Sequence, residues 1–194
     1  MSNQNSPVGF RDVGFVVGSG SMAANAVGPM AYNASACYWG DCLINSSGKL
    51  AVATATGNTG AAIVGIAMWF SWQSTAQGKF VRQRYYPGSD SVGNADVNVH
   101  YLSDPNTLFI VQSSGTAITQ ADVGKYANFT TGTPSTATGA SGMSLDQTTL
   151  NTTQGVLPFQ ILGLPVAPLQ NTDATSSFNL VYVKIATQSL SGIN

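Results

Sequence analysis

Glutamate is missing from this sequence, and charged residues of every kind are scarce. All acidic residues are aspartates, and charged residues make up 8% of the chain, against about 25% in an ordinary globular protein. Glutamate favours helices and aspartate does not, so this usage, together with 21 Gly and 8 Pro, predicts little helix. Uncharged polar residues and glycine must cover the surface, which suits a subunit packed against neighbouring proteins.

A strong net charge is missing as well. Seven cations against eight anions leave a net charge of −1, so no long-range field attracts nucleic acid or an anionic membrane, and we expect neither as a partner. The start, MSNQNSPVGF, lacks the basic and apolar regions of a signal peptide. The longest apolar stretch, AAIVGIAMWF, is about half the length that spans a bilayer. We expect a soluble protein made in a cytoplasm.

Cysteine and histidine are too few for a structural metal site. Cys37 and Cys42 are the only cysteines and His100 is the only histidine, so we expect no bound zinc. A reducing cytosol favours free, partly buried thiols over a disulfide across this short loop, although the sequence leaves the pairing open.

Catalytic motifs are weak. Gly18, Gly20 and Ala23 approximate a dinucleotide-binding fingerprint, but the following AANAVGPM ends any helix within two turns, and no βαβ alternation follows. His100 is the only histidine base for a serine nucleophile, and no G-x-S-x-G motif is present. The aspartates stand singly, without the pairing that glycoside hydrolysis needs. We therefore expect a non-enzymatic protein without a cofactor.

Short strand-like runs separated by Gly, Pro and Asn are what the sequence does contain. Ten candidate strands cover 13–17, 36–44, 50–55, 62–72, 79–86, 96–102, 107–112, 124–129, 158–164 and 178–185. Period-two alternation is clearest in two of them, 96–102 and 178–185. The residues expected on their shared faces are Val97, Val99, Tyr101, Val181, Val183 and Ile185.

Ten antiparallel strands predict two packed sheets or a closed barrel, because one open sheet of that size leaves an apolar face in water. We predict an all-β protein, an antiparallel β-sandwich or barrel of jelly-roll-like form. Residues 13–194 are expected to form one domain, and residues 1–12 an extended N-terminal arm that gains order on a partner.

Residues 130–157 interrupt the strands with a long Thr/Gly/Ser-rich stretch. Core-forming strands are expected on both sides of it, so the chain leaves the domain here and returns to it. Loops of this length in a compact domain are usually functional or disordered. We predict a loop that becomes ordered by pairing with a neighbouring subunit.

Two aromatic clusters have alternative interpretations. In KFVRQRYY, Arg82 and Arg84 share a strand face beside Phe80 and Tyr86, either as an interface stripe or as a solvated face. The stretch 69–72 brings Trp69, Phe70 and Trp72 close together; these rings form either a sugar-stacking platform or part of the core, which is where most such rings lie.

Four segments, VNVHYLSDPNTLFIVQ, ADVGKYANF, TATGASGMSLD and PFQILGLPVAPLQNTD…FNLVYVKI, resemble in that order the capsid decoration or cement proteins of tailed bacteriophages. PVGFRDV near the N-terminus fits the same pattern. The resemblance covers about residues 60–186. It implies a non-enzymatic head protein that binds the outside of an icosahedral shell, bridges adjacent major capsid subunits and acts as a homo-oligomer, a dimer or a trimer.

A protein of this kind is made in the bacterial cytoplasm and resides on the capsid exterior of the virion. The residues expected to contact the capsid or a sister subunit are Pro7, Phe10, Arg11, Arg82, Arg84, Tyr86, Thr133, Thr136 and Thr138. Two alternatives stay open, a carbohydrate- or receptor-binding β-sandwich module of a phage or bacterial surface structure, and a polysaccharide-active enzyme.

Overall fold

The computed structural model describes residues 3–15, 25–54, 62–165 and 175–187. Strands dominate this part of the chain, and its helical segments are two short 3-10 helices, Val92–Asn94 and Gln120–Asp122. The strands are β1 (Arg11–Phe15), β2 (Asn25–Met30), β3 (Cys37–Tyr38), β4 (Cys42–Ser46), β5 (Lys49–Val52), β6 (Gly65–Ser74), β7 (Lys79–Gln83), β8 (Tyr85–Tyr86), β9 (Val97–Leu102), β10 (Thr107–Gln112), β11 (Tyr126–Thr130), β12 (Ser144–Asn151), β13 (Phe159–Gly163) and β14 (Leu180–Ile185). The expected all-β fold is confirmed.

The first sheet has six strands in the order β1-β10-β14-β13-β11-β12, and every pairing is antiparallel. This sheet curls, so that β12 returns towards β10. A parallel bridge joins Ser113 to Leu145, and the Ser114 N–H donates a 2.8 Å hydrogen bond to the Leu145 carbonyl.

The second sheet contains a closed five-stranded barrel. Its order is β4-β5-β2-β9-β6, and a pairing between β4 and β6 closes the ring, with β7 attached outside β6. Met30 and Leu50 form a parallel pairing between β2 and β5, while the other pairings are antiparallel. A separate pair, β3 and β8, lies beside the barrel. The structure thus supplies the strand order, which the sequence does not give.

Local sequence explains the β4–β5 hairpin. Ser47 and Gly48 form its two-residue turn and both have positive φ, 54° and 79°, as a type I′ turn requires. The Asn45 Oδ1 accepts a 3.0 Å hydrogen bond from the Gly48 N–H. This turn fixes the hairpin register that brings β4 to its closing position in the barrel.

The core faces follow the predicted alternation. The six residues expected to share buried faces are all buried, namely Val97, Val99, Tyr101, Val181, Val183 and Ile185. Ile66 and Leu102 from the barrel wall belong to the same buried cluster as Phe109 from the first sheet. Part of the barrel wall therefore packs against the first sheet in one buried cluster, whereas Val97, Val99 and Tyr101 belong to a second cluster formed by the barrel sheet.

The N-terminal segment is bound more closely to the body than expected. Gln112 accepts a hydrogen bond from the Ser6 N–H at 3.0 Å and donates one to the Gln4 carbonyl at 2.8 Å. Phe10 is fully buried, and β1 begins one residue later. The expected arm boundary at residue 12 is therefore wrong, because Phe10 and Arg11 already belong to the folded body.

Residues 130–157 are not a long excursion. They contain β12, which pairs with β11, and a preceding segment in which Ala140, Ser141 and Met143 are buried. The sequence interpretation missed β12 because its Ser, Thr and Gln side chains hide the strand pattern. It also missed β2, where Gly28 and Pro29 suggest a break. The candidate strand 13–17 is described only as far as residue 15.

Cys37 and Cys42 are free and fully buried. Burial raises the pKa of both thiols well above the usual value for cysteine, and the negative charge of Asp41 raises it further. Burial also raises the pKa of Asp41, although hydrogen bonds from Ser141, the Tyr38 N–H and Cys37 lower it in part. The thiols are therefore protonated and chemically quiet near neutral pH.

Candidate protein-contact surface

Strand β7 is an edge of the barrel sheet. Within the described residues it pairs with β6 on one side and with no strand on the other. Its side chains alternate: Val81 is buried, whereas Phe80 is 65% exposed and Arg82 is exposed. Arg84 follows two residues later and is exposed too. The predicted sharing of one outer face by Phe80, Arg82 and Arg84 agrees with this pattern.

Arg82 lies against Trp69 of the neighbouring strand. Ser71 is directly opposite Arg82 in the ladder, so Trp69 is its diagonal neighbour. The guanidinium carbon is 4.3 Å from the Trp69 ring centroid. A cation–π contact of this kind at an exposed position contributes about 0.5–1 kcal/mol. The contact holds the Arg82 side chain flat on the barrel wall.

Arg84 makes a similar contact with a different tryptophan. Its guanidinium carbon is 4.9 Å from the ring centroid of Trp39, which lies between β3 and β4. The Trp39 N–H donates to the Arg84 carbonyl at 2.7 Å and to the Gly139 carbonyl at 3.0 Å. Sequence reasoning missed Trp39, because only the long-range pairing of these segments brings it under Arg84.

The threonine-rich segment reaches the same surface through a tight turn. Ser135 and Ala140 form an antiparallel bridge, and the turn between them exposes Thr136 and Thr138. Gly139 has φ +71°, and a Cβ built on it would lie 2.8 Å from the Cβ of Arg84. The turn therefore packs directly against Arg84.

Pro7 and Thr133 lie together in a different place. They line a groove of about 380 Å³ together with Gly132, Gly142 and Phe178. Gly132 and Gly142 approach closely, since a Cβ on either would lie 2.5 Å from backbone atoms of the other. The N-terminal segment and the threonine-rich segment thus meet at this groove.

Arg11 lies on the other sheet. It is half-buried on edge strand β1, opposite Ile110 of β10, and its Nε is buried without a hydrogen-bond partner among the described residues. The structure therefore does not place Arg11 on the β7 edge with Arg82 and Arg84.

Two of the expected contact residues are corrected by the structure. Phe10 and Tyr86 are both 0% exposed. Phe10 stacks on Phe159, and the Tyr86 hydroxyl donates a hydrogen bond to the Tyr32 carbonyl. Their apolar rings form core rather than surface, so neither side chain is available to a partner.

The three-ring sugar platform is wrong for the same reason. Phe70 and Trp72 are buried, and the Trp72 Nε1–H donates to Asp90 at 3.1 Å. Trp69 alone reaches the outer wall, where Arg82 covers one of its ring faces.

A serine–histidine contact on the barrel wall also escaped the sequence analysis. Ser71 Oγ and His100 Nε2 are 3.3 Å apart on adjacent strands. Burial, and then the positive charge of Arg82, lowers the pKa of His100. Arg82 therefore disfavours the imidazolium that a base must become in serine catalysis. Asp104 instead accepts a hydrogen bond from the Asn106 N–H in a turn.

Metal and cofactor ligands are not clustered in the part of the chain that the structure covers. No group of three or more His, Cys or Asp side chains suited to a metal ion occurs among residues 3–15, 25–54, 62–165 and 175–187. Gly18, Gly20 and Ala23 of the fingerprint lie outside the described residues. The segment that follows them forms strand β2.

Comparison with protein-family models, with curated proteins and with solved structures gives no match. Among the described segments, no helix has the length and apolar character needed to cross a bilayer.

Proposed function

We propose that this protein is a structural protein of a phage head, which binds the outer surface of an icosahedral capsid and joins adjacent major capsid subunits. It is made in the bacterial cytoplasm and acts on the capsid exterior as a homo-oligomer, a dimer or a trimer. The proposal rests on the sequence resemblance and on one structural observation, the contact surface at the β7 edge.

That surface joins two features suited to binding a protein. The edge strand β7 presents Phe80, 65% exposed, and Arg82, and Arg84 follows directly after its end. Arg and aromatic residues are enriched in protein interfaces. The exposed threonines of the neighbouring turn add uncharged area. Low overall charge reduces the cost of removing water from a broad interface, and many weak contacts add up on a shell that offers repeated sites.

Purified protein mixed with undecorated phage heads tests the proposal. We expect regular extra density on the outer surface of the heads by electron cryomicroscopy, at a fixed number of copies per shell. Decorated heads should also resist heating better than bare ones, because binding stabilises the assembled state. A protein that stays in the supernatant after the heads are pelleted, at micromolar concentration, contradicts the proposal.

A separate deletion variant tests whether the N-terminal segment contacts the capsid. Deleting residues 1–6 leaves Phe10 and β1 in place, and the described part of the deleted segment, residues 3–6, contains no buried residue. We expect reduced retention on heated heads if the segment contacts the capsid. Unchanged retention removes this segment from the contact surface but leaves the rest of the proposal standing.

A glycan array distinguishes the carbohydrate-binding alternative. Saturable binding to one sugar class, abolished by Trp69→Ala, favours that alternative over capsid binding. On the capsid proposal, we expect no saturable glycan signal from the wild-type protein.

A further inference from the structure

Arg82 and Arg84 lie near each other in the chain, and neither side chain forms an ion pair within the described residues. They are two residues apart on extended chain, so their Cα atoms lie about 7 Å apart on one face. Within the described part of the chain, the ion pairs are Lys49 with Asp96 and Lys125 with Asp122, and neither arginine belongs to one. Both guanidinium groups therefore lack a carboxylate partner in those residues.

The tryptophans hold the pair in place. The Arg82 guanidinium lies over the ring of Trp69, and the Arg84 guanidinium lies over the ring of Trp39. A guanidinium held over a ring face keeps its N–H donors available for carboxylate oxygens, and it has lost part of its side-chain freedom before a ligand arrives. Two like charges are thus fixed in a geometry suited to two anionic groups.

The chain itself cannot supply those groups. It contains no Glu, and no two of its eight Asp residues are two positions apart in the sequence. A second copy therefore presents no segment with paired carboxylates at this spacing. The complementary partner is a different protein.

Nucleic acid fits the surface less well than an acidic protein segment. The chain has a net charge of −1, whereas binding to phosphate backbones depends on many cations acting together. The ring of Trp69 is already covered on one face by Arg82 and so is less available for stacking on bases.

Strand β7 also has a free backbone edge. Within the described residues, β7 pairs with β6 only, so its other backbone edge has no partner strand. The Phe80 side chain on this strand is exposed. Edge strands of this kind accept an extended segment by adding one more strand, with side chains setting the specificity. Residues of an added strand that are two apart would face Arg82 and Arg84 together.

We propose that β7 is a docking edge for an extended acidic segment of a different protein, in which two carboxylates two residues apart pair with Arg82 and Arg84. The identity of the partner rests on the proposed function, according to which the segment belongs to the major capsid protein.

Synthetic peptides test the chemistry directly. Isotope-labelled full-length protein is titrated with an eight-residue peptide holding a central Glu-Thr-Glu, with the same peptide holding Gln-Thr-Gln, and with one in which the two Glu are adjacent. We expect NMR shifts at residues 79–84 with the first peptide, and binding at least tenfold weaker for the other two. Arg82→Gln and Arg84→Gln should each weaken the first peptide about tenfold. Lys49→Gln, which removes a cation from another place, should leave its affinity unchanged.

Equal binding of the Glu and Gln peptides, or shifts that avoid 79–84, would overturn the docking edge. So would tighter binding of a single-stranded oligonucleotide to the same residues. Phage heads then separate this inference from the proposed function. Equal decoration by wild type and by the Arg82→Gln, Arg84→Gln double variant overturns the docking edge alone. Peptide selectivity without decoration by the wild type overturns the capsid function alone.

Discussion

The ring of Phe10 stacks on the ring of Phe159, with centroids 4.3 Å apart and planes 17° from parallel. Phe159 in turn meets Phe129 edge-on at 6.3 Å. The residue immediately before β1 thus forms part of the aromatic centre of the first sheet. The segment that leads into β1 is anchored by this ring.

Phe10→Ala should therefore destabilise the whole protein. Removing a fully buried Phe leaves a cavity, and such changes cost about 3–5 kcal/mol. Urea unfolding followed by tryptophan fluorescence measures the loss. Deleting residues 1–6 is the comparison, because it removes the two contacts with Gln112 and the Asn3 contact with Ser176 but no buried ring, and we expect it to cost about 1–2 kcal/mol. A smaller loss for Phe10→Ala than for the deletion would contradict the packing.

Asp90 should stabilise the turn between β6 and β7. Its carboxylate accepts hydrogen bonds from the Trp72 Nε1–H at 3.1 Å, the Ser74 hydroxyl at 2.7 Å and the Ala76 N–H at 2.8 Å. Asp90→Asn keeps the shape but loses the charge, and we expect a loss of about 1–3 kcal/mol at pH 7. Asp146→Asn is the control, since the hydrogen bonds of its carboxylate come from Thr148 two residues along the same strand, β12.

The pH dependence of that difference follows from the direction of the shift. Burial alone would raise the pKa of Asp90, but hydrogen bonds from Ser74, the Ala76 N–H and Trp72 lower it below its usual value. A carboxyl with a lower pKa in the folded state contributes stability above its unfolded pKa, about 3.9. That contribution disappears as the pH falls through the folded pKa. The gap between wild type and Asp90→Asn should therefore shrink below about pH 4, and a gap that widens in acid would refute the assignment.

Gly142 and Gly163 make a matched pair for testing close packing. A Cβ on Gly142 would lie 2.5 Å from the Gly132 backbone, whereas one on Gly163 would meet nothing within 4 Å. Gly142→Ala should cost about 1–3 kcal/mol, and Gly163→Ala should change stability by less than about 0.5 kcal/mol. Thermal unfolding of the two variants compares them. Equal effects would show that the segment before β12 is not packed as described.

Cys37 and Cys42 should resist alkylation in the folded protein. Both side chains are fully buried and burial raises their pKa, so little thiolate is present near neutral pH. We expect maleimide labelling at pH 7.5 to be at least a hundredfold slower than in urea-unfolded protein, as followed by mass spectrometry. Fast labelling of the native protein, or a mass two hydrogens lower before reduction, would contradict free buried thiols.

The strands could be predicted wherever apolar residues alternate clearly. The sequence alone predicts that Val97, Val99 and Tyr101 share a face, because apolar residues at every second position point to the same side of a strand. All three are buried in the structure. β12 could not be found in this way, because its stability comes from pairing with β11 and not from an apolar pattern. β2 contains Pro29, which is depleted in strand interiors.

The sequence predicts part of the contact surface, namely the exposed side chains of 79–84, but not the rings that lie beneath the arginines. Alternation along 79–84 places Phe80, Arg82 and Arg84 on one side of the chain. The rings beneath the arginines come from strands and loops far away in sequence, Trp69 on β6 and Trp39 before β4. Only the sheet register brings them there. The same is true of Tyr86, which reads as surface beside Arg84 and is buried by the β3–β8 pair.

The pairing of β4 with β6 turns the barrel into a ring, and a ring of strands has no end at which identical molecules can polymerise. Within the described residues, the remaining margin of the barrel sheet is β7, which presents Arg82 outward, and exposed Arg84 follows directly after it. Two identical molecules meeting there would bring guanidinium against guanidinium. Repulsion between these like charges opposes the growth of fibres at this margin, whereas it does not oppose the binding of a negatively charged segment of another protein.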